Sequence, residues 1–224
     1  MRKLTDTLKK RFSDEDIYAH VSPLLQNQPD LLRALVGIMP LHPLHLGPNL
    51  PTVWTFRLRE FVRKVMAERR KLVGIGWGHQ IISLAAVDGG VVECMDSAKL
   101  GLACIDLSDK GAEVFPYFKK KGQRIWLHEF HNHEVTSAHR RLRRFVGDLK
   151  GFMDKWCNLI TIQGHPELNQ EAAIVVLRAT PEYKAANEEQ RAALLGELEG
   201  RNDGIRFLGH ILYWAENGPP PRQR

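Results

Sequence analysis

The sequence predicts an α/β layer fold with some antiparallel pairing in the middle of the chain. Two observations carry this. Short β-type apolar runs alternate with stretches whose apolar residues recur at helical spacing. One of those runs, in KLVGIGWGHQ (residues 71 to 80), meets a glycine-rich turn and continues as a helix-like segment, which is how an α/β protein builds a sharp strand-to-helix elbow.

Residues 1 to about 35 read as helical, with LTDTLKKRF and DIYAHVSPLLQ separated from PDLLRALVGIM by polar turns and a proline suited to a first helical turn. MPLHPLHLGPNLP has no period, and its prolines exclude a central strand, so it is a loop. WTFRLREFVRKVMAERR is a helix with basic residues between the apolar ones, and it leads to the strand LVGIG and the elbow helix. VVECM and LACIDL then read as two strands, DKGAEVFPYF as a short helix or turn, and RIWLHEF and NLITIQ as further strands before the turn GHPEL. EAAIVVLRA, EEQRAALLGELEG and GIRFLGHILYWAEN close the chain as helices. Length and apolar content suit one domain, residues 1–217, and GPPPRQR (218–224) reads as a disordered tail.

No apolar run approaches a membrane span, and the opening MRKLTDTLKK lacks the apolar region of a signal peptide, so a cytoplasmic or nuclear protein is expected. Cys94, Cys104 and Cys157 are too few and too scattered for a disulfide framework, and reduced, mostly buried thiols are expected. The net charge of +6 is concentrated in FKKKGQR and HRRLRRF. Such runs attract phosphate-bearing partners in some proteins, but a solvated basic face is the commoner arrangement, and no specific nucleic-acid motif accompanies them.

Two turns at strand ends could carry chemistry. In open α/β sheets ligands bind beyond the carboxyl ends of the strands, so GWGHQ and GHPEL are expected to face one crevice. In the second turn His165 and Glu167 flank a proline, and a carboxylate beside an imidazole fixes its tautomer, as in the base-and-orienter part of a triad. A surface turn that happens to contain a His and a Glu is the plain alternative. A second cluster, LHEFHNHEV, holds His128, His131, His133 and Glu134. Alternation along a strand puts His131 and His133 on one face, where a metal would take them as ligands, although the spacing matches no specific metal signature and polar strand histidines are commoner.

With these residues in view, the chain resembles the class I glutamine amidotransferase domains, in particular the stand-alone type that includes the γ-glutamyl peptidases. KLVGIGWGHQ, RIWLHEFHNHEV and LITIQGHPELN carry the resemblance in the family's order, flanked by PTVWTFRLREFVRKV and RNDGIRFLGHILYW, so it spans roughly residues 50 to 217. It implies a flavodoxin-like, three-layer fold with a mostly parallel central sheet between helices and no cofactor. It further implies that a cysteine at the elbow attacks the γ-carbonyl of glutamine, with His165 as acid and base and Glu167 as its orienter. Gly78 and Gln80 match the elbow's structural and substrate-side positions, and Trp77, Gln80 and His131 are expected beside the substrate.

The cysteine's position is Gly76. A glycine cannot form a thioester, so glutamine hydrolysis is not expected. None of the three cysteines reaches the elbow by its place in sequence. A second departure lies upstream: MPLHPLHLGPN lacks the glycine pair of the family's oxyanion loop, and residues 1–50 diverge from the family's opening strand. The expectation is a repurposed or non-catalytic member that binds a small molecule or a protein partner in the old crevice. The alternative is a non-covalent acid–base or metal-assisted enzyme built on His165 and Glu167.

Overall fold

The computed structural model describes residues 53–86, 90–156, 158–179 and 188–217. The expected N-terminal helices, the proline-rich loop, Cys157 and the C-terminal tail lie outside these residues. The described elements run α1 (Val53–Ala67), β1 (Leu72–Ile75), α2 (Trp77–Ala85), β2 (Val91–Asp106), α3 (Asp109–Val114), α4 (Pro116–Lys119), β3 (Arg124–Ser137), β4 (Leu142–Arg144), β5 (Gly151–Asp154), β6 (Leu159–Ile162), α5 (Gln170–Ala179), α6 (Glu188–Gly196) and α7 (Gly204–Asn217).

Four strands form a sheet in the order β1-β6-β5-β4, and β2 and β3 form a long two-stranded ribbon beside it. β1 and β6 are parallel, with Ile75 opposite Ile162, whereas β6–β5 and β5–β4 are antiparallel. Antiparallel pairing therefore takes a larger share of the described sheet than the mostly parallel expectation allowed. The connections from β4 to β5 and from β5 to β6 are too short for a crossover, and only antiparallel neighbours can be joined that way.

Side-chain alternation along the strands sorts the core into two faces. Val73, Ile75, Met153, Ile160 and Ile162 point to one side, against Phe115 and Phe118 of the α3–α4 segment and Phe207, Ile211 and Trp214 of α7. Leu72, Phe152 and Leu159 point to the other, against Val62 and Val65 of α1 and Ile81, Ile82 and Ala85 of α2. Helices on both faces give the three layers the resemblance implied. A third cluster joins Phe130 of β3 to Leu168, to Ala173 and Leu177 of α5, and to Leu198.

Three expectations are corrected. VVECM and LACIDL are not two strands but parts of β2, whose pairing with β3 jumps from Cys94↔His133 to Lys99↔His131, so the intervening residues 95–98 bulge instead of turning the chain. Neither β4 nor β5 was expected. Both are three or four residues long and carry charge or glycine, too little for a periodic signal. Cys94 and Cys104 are exposed, because β2 presents most of its side chains outward. Arg140, Arg141, Arg143 and Arg144 are exposed too, around the sheet's β4 edge, where charge discourages pairing with other strands.

Candidate functional site

The parallel pairing of β1 with β6 sets their carboxyl ends side by side, so the elbow and the GHPEL turn leave the sheet together. The backbone turns sharply between β1 and α2. Gly74 lies so close to the first turn of α2 that a Cβ there would stand 2.8 Å from the carbonyl oxygen of Gly78. Gly76, at the crest, has φ +55° and ψ −115°, a conformation that a residue with a side chain adopts only under strain. Its N–H donates to Ile162 (2.9 Å), and its carbonyl accepts the first-turn bond from the N–H of His79 (3.1 Å).

His165 meets the elbow at this crest. Its imidazole lies where a side chain at position 76 would begin: an ideal Cβ on Gly76 would be 2.5 Å from Cε1 and 2.8 Å from Nε2. The ring is 2% exposed and its Nδ1 is 2.7 Å from Oε1 of Glu167. The backbone N–H of His165 donates to the carbonyl of His128 (2.8 Å), forming an isolated antiparallel bridge that fixes the turn to β3. The imidazole and the carboxylate thus lie within hydrogen-bond distance of each other, and the imidazole is packed onto a glycine. No cysteine stands at the crest, and Cys94 and Cys104 both lie on β2.

The other expected site residues divide. Gln80 is buried, and its Nε2 donates to the carbonyl of His133 (2.8 Å) and to Oε1 of Gln163 (3.1 Å), so its donors hold the β3 and β6 ends together. His131 is buried and grips the same carbonyl, with Nδ1 3.0 Å from the oxygen of His133. Trp77 is half-buried and packs against the cluster around Leu72 and Ile81. His133 is half-buried, with Nδ1 2.7 Å from Oδ1 of Asn132, and Glu134 pairs with Lys99 (3.3 Å). Among the described residues no group of three His, Cys, Asp or Glu side chains is placed to hold a metal ion.

His128 is a satisfied core histidine. Nδ1 accepts from Nδ2 of Asn202 (2.8 Å), which leaves the Nε2 proton to donate to the carbonyl of Leu198 (3.1 Å). Asn202 in turn accepts from the N–H of Gly204 at the start of α7 (2.6 Å), so one imidazole ties β3 to the loop before α7.

Sequence reading missed the buried ion cluster behind His131. Glu129, 3% exposed at its side chain, has Nζ of Lys150 2.7 Å from Oε1 and 3.0 Å from Oε2, and Nε2 of His131 3.5 Å from Oε2. The lysine's hydrogen bond goes to Oε2, and its contact with Oε1 is an ion pair. Burial pushes the Glu129 carboxyl up, but His131 and Lys150 together outweigh it and hold it down at about 2. His79, fully buried on the first turn of α2, stacks on Phe152 with ring centroids 5.1 Å apart and has Nδ1 2.9 Å from Oγ1 of Thr161. Burial, reinforced by the charge of His131, lowers it to about 3, so this ring is neutral at pH 7.

No protein-family model matches the chain. Among curated proteins it is 26% identical over 164 residues to the glutamine amidotransferase-like protein chyE of Penicillium rubens, covering 72% of this chain and 66% of that one. It is 24% identical over 217 residues to the glutamine amidotransferase-like protein chry6 of Gibberella zeae, covering 95% and 86%. The chain is thus similar to proteins described as glutamine amidotransferase-like. It is also 27% identical over 146 residues to gamma-glutamyl peptidase 2 of Arabidopsis thaliana, spanning 61% of this chain and 55% of that relative. The fold agrees: a glutamine amidotransferase from Thermotoga maritima superposes with a TM-score of 0.58 over 81% of this chain and 75% of its own, at 16% identity. No helix among the described residues is long and apolar enough to cross a membrane.

Proposed function

We propose that this glutamine amidotransferase-like protein does not hydrolyse glutamine and instead uses the crevice at its elbow to bind a small molecule of the glutamine or γ-glutamyl type, alone or together with a protein partner. One observation carries the reading. The residue at the nucleophile's place has no side chain, and the imidazole that would activate a nucleophile lies within 2.5 Å of the vacant Cβ position. Nucleophilic catalysis needs an atom there to attack the carbonyl, and members of such a triad act as a unit, so losing one costs many orders of magnitude in rate. The names of the relatives support the ligand class, since they point to glutamine and γ-glutamyl groups.

A second reading is favoured by the short His165–Glu167 bond. An oriented imidazole is a competent acid and base, and it could act on a bound substrate without a covalent intermediate. In that case His165→Ala would abolish turnover while leaving substrate bound.

Ligand-observed NMR of L-glutamine, L-glutamate and a γ-glutamyl amide mixed with the protein reads both halves of the proposal. Saturation transfer to at least one ligand, with glutamine and the amide intact after hours, is expected. Conversion of glutamine to glutamate, or no transfer to any of the three, would overturn it.

A further inference from the structure

We infer that the β4 edge of the molecule is a docking surface for the phosphate backbone of duplex nucleic acid. The two basic runs, FKKKGQR and HRRLRRF, are separate in sequence, yet the fold brings them to either side of the end of β2. On one side the Leu107 N–H donates to the carbonyl of Gln123 (2.6 Å), and Asp106 faces Arg124 across the ribbon. On the other, Leu107 forms an isolated antiparallel bridge with Val146, and the N–H of Ser108 donates to the carbonyl of Phe145 (2.9 Å). Neighbouring strands lie about 4.8 Å apart, so the main chain leaving β4 runs about 10 Å from that of Arg124. Arg144 and Ser108 line an open cavity of about 340 Å³ at this junction.

The charge on this edge is uncompensated. The three lysines of FKKKGQR and the four arginines of HRRLRRF are all exposed, and among the described residues none of these side chains has an ion-pair partner. Of the neighbouring carboxylates, Asp106 pairs with Arg124 (3.1 Å) and Glu113 with Lys110 (2.6 Å), which leaves Asp109 and Asp148 against those seven cations. A merely solvated surface mixes both signs. The protein does this elsewhere, where Lys99 pairs with Glu134 and Arg201 with Asp203.

The composition of the edge selects the partner. Guanidinium groups hold phosphate oxygens two at a time, and the run at β4 contains arginine and no lysine. Among the described residues, none of the exposed large apolar side chains lies in either run. Protein interfaces and membrane-bound helices anchor themselves with such side chains, whereas a phosphate backbone is held by charge. Without an exposed aromatic ring there is also no platform on which the bases of a single strand would stack. A duplex gripped by its backbone, without sequence preference, fits what remains.

Fluorescence anisotropy of labelled DNA and RNA duplexes of about 20 base pairs, titrated with the full chain, tests this; binding that neutralises about four phosphates should weaken roughly a hundredfold between about 50 and about 200 mM salt. Arg143→Glu/Arg144→Glu and Lys120→Glu/Lys121→Glu should each weaken it by about tenfold or more. Arg57→Glu/Arg178→Glu makes the same change in net charge at exposed positions of α1 and α5, and should leave the affinity within about threefold. Binding of either duplex supports the inference, the two arms showing which sugar backbone is preferred, and a single strand of the same length should bind less tightly. No binding of either duplex at low salt, an equal loss in Arg57→Glu/Arg178→Glu, or tighter binding to a single strand or to phosphatidylserine vesicles than to the duplexes would overturn it.

Discussion

Adding one carbon at the crest of the elbow should be expensive, and the expense should depend on His165. In Gly76→Ala the new Cβ would stand 2.5 Å from Cε1 and 2.8 Å from Nε2 of the ring, about an ångström inside ordinary contact. Two costs follow. A side chain at φ +55° and ψ −115° carries backbone strain of about 1–3 kcal/mol. The ring must also withdraw, which strains or breaks the 2.7 Å bond to Glu167 at a further cost of about 1 kcal/mol. A total near 3 kcal/mol in a domain of this size lowers the thermal midpoint by roughly 6–12 °C. The assay is a double-mutant cycle of Gly76→Ala and His165→Ala, followed by denaturant unfolding. In the His165→Ala background the clash is gone, and Gly76→Ala should cost only its backbone strain, giving a coupling of about 1 kcal/mol. A coupling below about 0.3 kcal/mol would be additive behaviour between independent sites, and would refute the claim that the imidazole occupies the missing side chain's place.

The buried charges give three further predictions. The Glu129 carboxyl titrates near 2 in the folded protein against an ordinary 4.5, so its stabilisation is present above about pH 4.5 and lost as pH falls toward 2; it amounts to about 3 kcal/mol. Glu129→Gln should remove that acid-limb dependence, which urea unfolding between pH 2 and 5 would report. Lys150→Met leaves the Glu129 carboxylate buried with only His131 near it and should destabilise by about 3 kcal/mol at pH 7, more than Glu129→Gln/Lys150→Met together. His79 is held near 3 against 6.5, so the unfolded chain takes up its proton first as pH falls. Stability from this group is full above pH 6.5 and declines below it, by about 2 kcal/mol at pH 5. His79→Phe should flatten that slope in thermal melts recorded from pH 7 to 5.

How far the sequence could be read depended on how local each signal was. α1 and α7 were legible because their apolar residues repeat at helical spacing over several turns, the elbow helix because it continues from a glycine-rich turn, and β1 and β6 because each is a short apolar run buried along its whole length. β4 and β5 left no comparable trace, and β2 was split in two because its bulge, around Asp96 and Ser97, reads as a polar turn. At the site, His165 and Glu167 were legible because two residues and a proline fix their relation. The collapse of the imidazole onto Gly76 was not, since it joins the ends of two strands far apart in sequence. Nor was the pairing of Glu129 with Lys150, whose burial depends on how β3 packs against the β4–β6 side of the sheet. Nor was the grip of Gln80 and His131 on the carbonyl of His133, an interaction among main-chain and side-chain atoms that no spacing rule announces.

Ammonia release from L-glutamine by the purified full chain decides whether a protein with no side chain at its elbow has left glutamine hydrolysis behind. Native protein, His165→Ala and Gly76→Cys would be assayed side by side after each is shown to be folded. The native chain should give no release above the protein-free rate, and removing His165 should change nothing. Release by the native chain that disappears in His165→Ala would contradict this, because the site would then be hydrolysing glutamine without a side chain at position 76 to attack it.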